Sequence, residues 1–125
     1  MTPWCMILLA YAALYAVFAY ALHADNVQVG YPPAFIVYSA AAQSLVAAGI
    51  AIHALERGES VARIWRWLFP LLLLEPCVGI ALDAVIPQDF SFQTHGWEWI
   101  VNLMLNLWFM APAYYFNFRV ASYRG

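Results

Sequence analysis

Charged residues are scarce in this sequence: only 10% of the 125 residues are Asp, Glu, Lys or Arg. A soluble domain carries about a quarter charged residues. With 66% apolar residues the chain has too little polar surface to be stable in water, which predicts an integral membrane protein in contact with the lipid bilayer. The formal net charge of −2 says little about partners; we expect no nucleic-acid partner.

Cysteine is almost as scarce, since the chain has only Cys5 and Cys77. Cys5 opens the first apolar run and Cys77 lies midway along the third, so their depths differ too much for a disulfide, which requires Cα atoms within about 7 Å. Neither cysteine belongs to a zinc or redox motif. His23 and His53 lie at opposite ends of their predicted spans, which excludes a haem held by two histidines. We therefore predict no metal and no other cofactor.

Four apolar runs are each long enough to cross a bilayer, which takes about 20 helical residues. The predicted spans are residues 4–22, 34–54, 65–85 and 97–118. Ala19 and Ala21 form an Ala-x-Ala pattern typical of signal-peptide cleavage, but the basic residues that precede such a segment are missing. We interpret the first run as a retained span. The predicted fold is an all-α integral membrane protein, one four-transmembrane-helix antiparallel bundle.

The arginines predict the orientation of this bundle. All five basic residues lie between the second and third spans, at the very start of the third, or after the fourth. Basic residues next to spans stay on the cytoplasmic side. Because four spans bring the two termini to the same side as the middle connection, we expect both termini to be cytoplasmic. The expected location is the bacterial inner membrane or its equivalent.

Two carboxylates interrupt the third apolar run. Glu75 lies at its midpoint and Asp83 lies two helical turns further on. An ionised, unpaired carboxylate at mid-membrane is costly, so an ionisable residue there is a site candidate by default. We predict that Glu75 gives or accepts a proton and that Asp83 tunes it. These two residues are the candidate catalytic groups, although the sequence leaves open whether the protein is an enzyme.

Amide side chains follow on the neighbouring spans. Asn102 and Asn106 are four residues apart and share a face of the fourth helix, and Gln43 lies on the second. Unsatisfied polar groups do not face lipid, so we predict that these residues turn inward and bind a ligand together with Trp108. Asparagine and glutamine also hydrogen-bond membrane helices to one another. The sequence leaves both interpretations open.

Two motifs resemble the emopamil-binding (EXPERA) proteins. They are Pro32-Pro33-Ala34-Phe35, which opens the second span, and Asn106-Leu107-Trp108-Phe109-Met110-Ala111-Pro112 in the fourth. The resemblance implies a four-helix membrane unit with cytoplasmic ends, and sterol isomerase or sterol-binding activity. It further implies that Glu75 or Asp83 is the acidic group and that Asn106 and Trp108 line the cavity.

We predict a protein that binds or isomerises an apolar, lipid-like small molecule of the sterol, isoprenoid or quinone type. Shifting a double bond requires a group that both gives and takes a proton near the operating pH, and a buried carboxyl suits that task. One alternative is a small proton-coupled transporter acting as a homodimer, with Glu75 at a symmetric contact. Another is an accessory subunit whose polar stripes meet a partner membrane subunit.

Overall fold

The computed structural model describes residues 2–86 and 95–123. These ranges form four α-helices and contain no β-strand, which confirms the all-α prediction. The helices are α1 (Pro3–Val29), α2 (Pro33–Ala54), α3 (Gly58–Val85) and α4 (Trp97–Ala121). Most of the predicted connection between the third and fourth spans lies outside the described residues, and so does Arg124.

Three of the helices, α1, α2 and α3, are long and apolar enough to cross a membrane. Helix α4 has 25 residues and is long enough to span a membrane, but its mean hydropathy is below that of the other three helices. Its three asparagines, Asn102, Asn106 and Asn117, account for part of that difference.

Helix α1 is longer than the predicted first span. It continues past residue 22 to Val29 because no proline or glycine interrupts the chain before Gly30. Gly30 takes the left-handed conformation at φ 84°, and its N–H donates to the Asn26 carbonyl at 3.2 Å. This is a common glycine stop signal, and Pro32 follows directly.

Helix α3 begins at Gly58, well before the predicted third span at residue 65. The turn from α2 therefore contains only Leu55–Arg57. Glu56 in this turn has a left-handed φ of 55°. We call this end of the bundle the hairpin end, and the end at which α1 joins α2 the loop end.

Helix α2 is the centre of the bundle, because it packs against each of the other three helices. Its Ala42, Val46 and Ile50 belong to the main apolar core, together with Tyr15 of α1 and Leu72 of α3. Small residues such as Ala42 let neighbouring helices approach closely.

Asn117 of α4 links three helices near the hairpin end. It is completely buried. Its Nδ2 donates to the carbonyl oxygens of Val46 at 3.0 Å and Ala113 at 2.7 Å. Its Oδ1 accepts from the indole Nε1 of Trp65 at 2.9 Å. One amide thus joins α2, α3 and α4.

A tyrosine hydroxyl repairs the backbone of α4 beside Pro112. The N–H of Ala113 donates to the Tyr11 hydroxyl at 3.1 Å, and that hydroxyl donates to the Phe109 carbonyl at 2.5 Å. Ala113 and Phe109 are the donor and acceptor of one ordinary helical i→i−4 bond. The hydroxyl of α1 therefore bridges the two groups next to the proline.

Gly49→Ala is expected to destabilise the bundle. A Cβ at Gly49 would lie 1.8 Å from the Oδ1 of Asn117, so Asn117 would have to move and leave buried groups of Val46 and Trp65 unpaired. Each unpaired buried group costs about 1–3 kcal/mol. Thermal unfolding in mild detergent should show a clearly lower melting temperature.

Gly79→Ala in α3 is the matched control. Its Cβ would meet the Phe35 ring at 3.5 Å, an ordinary contact. Its melting temperature should stay close to that of the unchanged protein. A Gly49→Ala protein that melts no lower than the Gly79→Ala protein would contradict the assigned packing.

Tyr11→Phe should lower the free energy of unfolding by about 1 kcal/mol, the typical net value of a buried hydrogen bond. Pro112→Ala restores an N–H to α4 and lets Ala113 bond directly to Phe109. In that background the cost of Tyr11→Phe should shrink, and a double-mutant cycle measures the difference. Equal costs in the two backgrounds would show that the hydroxyl does not act through the proline.

Candidate functional site

Glu75 is the most enclosed carboxylate in the described part of the chain, with 3% of its surface exposed. Its Oε1 accepts from the Ser39 hydroxyl at 2.7 Å, and its Oε2 accepts from the Gln43 Nε2 at 2.5 Å. Ser39 and Gln43 are four residues apart on α2 and so share one face. Both carboxylate oxygens of Glu75 are therefore held by one neighbouring helix.

Two hydrogen-bond relays converge on this carboxylate. The Asn26 Nδ2 donates to the Ser39 hydroxyl at 3.2 Å, which leaves the serine proton for Glu75. The Tyr15 hydroxyl donates to the Gln43 Oε1 at 2.5 Å, because an amide oxygen only accepts. Hydrogen bonds in a chain polarise one another in the same direction. Both relays therefore favour Glu75 as an acceptor.

Glu75 receives this support from neutral groups only. Its hydrogen bonds in the described structure come from Ser39 and Gln43, and no ion pair to it occurs there. The sequence has no lysine, and the arginines of the described residues lie before Trp67 or after Phe118 in the chain, toward the hairpin end. Dipoles rather than a cation thus stabilise the carboxylate. A hydrogen-bond donor or a positive group on a ligand would complement it.

A cavity of about 280 Å³ adjoins Glu75, and all four helices contribute to its wall. Aromatic rings form part of the lining, namely those of Phe18, Tyr31, Phe35 and Trp99. The polar part of the lining consists of Asp25, Asn26, Glu75, Asp83, Asn102 and Asn106. Asp25 and Asn102 are exposed, so the cavity reaches the surface toward the loop end of the bundle.

The structure brings together four of the six predicted site residues. Glu75, Asp83, Asn102 and Asn106 all line this one cavity. They come from α3 and α4, whose polar stripes face each other across it. Their roles toward a ligand stay predictions.

The other two predicted residues lie elsewhere. Gln43 is 1% exposed and is not part of the cavity wall, so it positions Glu75 instead of contacting a ligand. Trp108 is 78% exposed and points away from the cavity. The reason is helical geometry, because two residues turn a helix by about 200°, which places Trp108 opposite Asn106.

Sequence reasoning missed the contribution of α1. Tyr15, Phe18, Leu22 and Asn26 recur at intervals of three or four residues and share one face of the helix. The predicted first span ends at residue 22 and therefore does not include Asn26. Following the same spacing for one more turn would have found it.

The site has no metal-binding arrangement within residues 2–86 and 95–123, where no group of three or more His, Cys, Asp or Glu side chains could hold an ion. The cavity wall offers three carboxyls, of which only that of Glu75 is buried, three asparagine amides and four aromatic rings.

Comparison with known proteins yields no match to a protein-family model, to a curated protein or to a solved structure. The resemblance to the emopamil-binding proteins therefore stays a prediction.

An apolar carbodiimide should modify Glu75. Dicyclohexylcarbodiimide partitions into membranes and reacts with protonated carboxyl groups, so it should reach Glu75 through the cavity. Peptide mass spectrometry should locate one main adduct at Glu75, absent from Glu75→Gln. Because Gln43 stabilises the ionised form, Gln43→Leu should raise the labelled fraction at neutral pH.

Glu98 provides the control, because it is exposed and does not line the cavity. A water-soluble carbodiimide should modify Glu98 before Glu75. Reversed reactivity with the two reagents would contradict the burial of Glu75.

Proposed function

We propose that this chain is a four-span membrane protein that binds an apolar, lipid-like ligand and places the ligand's polar group against Glu75. The observation that carries the proposal is the buried carboxyl of Glu75, held by Ser39 and Gln43 at the wall of a cavity lined by aromatic and amide side chains. Such a wall recognises a molecule with a mostly apolar body and one hydrogen-bonding head.

The proposed topology makes α4 the fourth span. Its 25 residues extend over about 37 Å at the helical rise, and a bilayer core is about 30 Å thick. It packs against α2 and α3, and its Asn117 is buried there, away from lipid. The arginines at the hairpin end favour cytoplasmic termini, in a bacterial inner membrane or its equivalent.

The size of the cavity restricts how the ligand sits. A volume of about 280 Å³ holds the head and first ring of a sterol, or the head group of an isoprenoid or quinone. The rest of the molecule would lie along Ile80, Leu103 and Leu107, which form the apolar wall between α3 and α4. Asn106 and Asn102 would hydrogen-bond an oxygen of the head.

The same arrangement suits a double-bond shift. The Glu75 carboxylate would take a proton from one carbon of an allylic system and return it to another, so that the double bond moves and no proton or electron is gained or lost. Asp83 lines the same cavity and would tune the charge of Glu75. Binding without turnover is the simpler outcome, and both outcomes require Glu75.

The ligand proposal needs a single chain only. Glu75 is enclosed by α2 of its own chain, whose Ser39 and Gln43 are its hydrogen-bond partners. A dimeric transporter or an accessory subunit would instead place the polar residues at an interface. Native mass spectrometry therefore distinguishes the ligand proposal from these two alternatives.

Native mass spectrometry of the protein in mild detergent should find a monomer that carries one discrete small molecule. Glu75→Gln should lower the retained ligand by about 10- to 100-fold, the size of a lost hydrogen bond to a charged group. If ligand is turned over, the same variant should abolish the conversion.

Glu98→Gln is the matched control and should retain the ligand in full, because Glu98 lies outside the cavity wall. A defined dimer, or a stoichiometric foreign protein with no small molecule, would replace the ligand proposal by the transporter or the accessory subunit respectively. Equal ligand retention in Glu75→Gln would also overturn it.

A further inference from the structure

A second cavity, of about 360 Å³, lies at the hairpin end of the bundle. It is formed where α1 and α3 begin and where α2 and α4 end, so it is separate from the cavity beside Glu75. Its wall carries charges of both signs, since Glu56 and Arg119 line it together with His53 and Tyr123.

The two opposite charges face this cavity without pairing with each other. Within the described ranges neither Glu56 nor Arg119 takes part in an ion pair. Both line the same cavity as His53, so the negative and positive groups share one small space. A ligand that carries one charge of each sign could satisfy both groups at once.

The backbone of Glu56 closes the C-terminus of α2. Its φ of 55° lies in the left-handed region, which favours glycine or asparagine over glutamate. A left-handed residue commonly ends a helix, and here the Arg57 N–H donates to the Ile52 carbonyl at 3.0 Å. The turn between α2 and α3 thus holds a carboxylate at the cavity wall in a conformation that glutamate itself disfavours.

The remaining wall is built for a molecule that is polar at one end only. The His53 ring stacks on Phe116 with centroids 5.0 Å apart, which fixes the imidazole. Leu8 and Val120 add buried apolar surface. Trp4 is 60% exposed beside them, as tryptophans are at membrane interfaces.

We propose that this cavity binds the phosphoethanolamine head of a membrane phospholipid. The phosphate would meet the Arg119 guanidinium and the His53 imidazole, and the ammonium would donate hydrogen bonds to the Glu56 carboxylate. The acyl chains would continue past Trp4 into the bilayer. The proposal uses the membrane insertion inferred above and is independent of any ligand at Glu75.

The test compares three phospholipids with identical acyl chains, added in equal amounts to the delipidated protein and counted by native mass spectrometry. Phosphatidylethanolamine should bind about threefold better than phosphatidylcholine or phosphatidylglycerol, the size of one partly exposed charge pair. Phosphatidylcholine cannot donate a hydrogen bond to Glu56, and phosphatidylglycerol lacks the ammonium.

Three substitutions test the contacts of Arg119 and Glu56 with the lipid head separately. Arg119→Gln should reduce the binding of all three lipids. Glu56→Gln should remove the preference for phosphatidylethanolamine over phosphatidylcholine. Glu56→Gly should remove the same preference and also raise the melting temperature, because glycine relieves the strained φ. A merely structural glutamate would not give this opposite change in binding and stability.

Arg63→Gln is the control, because Arg63 is exposed on α3 and does not line the cavity; it should leave the lipid preference unchanged. Equal binding of the three lipids, or a preference that survives Glu56→Gly, would overturn the proposal. So would binding of water-soluble phosphoethanolamine as tight as that of the lipid, which would identify a soluble metabolite as the ligand.

Discussion

The bundle depends on the cost of taking the Glu75 carboxyl out of water. Removing a carboxylate from water is affordable only where hydrogen bonds replace its hydration, and Ser39 and Gln43 supply those bonds. They do so only if α2 and α3 keep one register, because a shift of one residue would turn both donors away. The hydrogen bonds of Glu75 therefore fix the register of α2 against α3. Tyr15 and Asn26 of α1 bond to Gln43 and Ser39 and so fix α1 against α2 as well.

Tyrosine hydroxyls also join the helices close to the prolines. A proline leaves a backbone carbonyl without its helical donor, and lipid offers no water to replace that donor. Tyr11 bridges Phe109 and Ala113 of α4 beside Pro112. The Tyr38 hydroxyl of α2 donates to the Leu71 carbonyl, one residue before Leu72, whose carbonyl Pro76 leaves without its helical donor. In both cases a tyrosine of a neighbouring helix bonds to the backbone close to a proline and joins the two helices there.

Apolar periodicity and length were enough to predict the four helices, and the rule against polar groups in lipid was enough to bring Glu75 and Asn106 to one cavity. The exact ends of α1 were harder, because a polar residue such as Asn26 signals a loop when it is judged by composition alone. Trp108 points outward because it lies two residues, or about 200° of helical turn, from Asn106. A resemblance between motifs does not take this rotation into account. Asn117 was missed because its partners are a carbonyl and an indole on other helices, and sequence spacing does not encode such contacts.

The position of α2 in the chain has a consequence for how the protein is made. Synthesis proceeds from the N-terminus, so α1 and α2 leave the ribosome before α3. Asn26, Ser39 and Gln43 are therefore synthesised before Glu75. The order of the helices along the chain thus makes the hydrogen-bond network around the carboxylate available before the carboxylate itself.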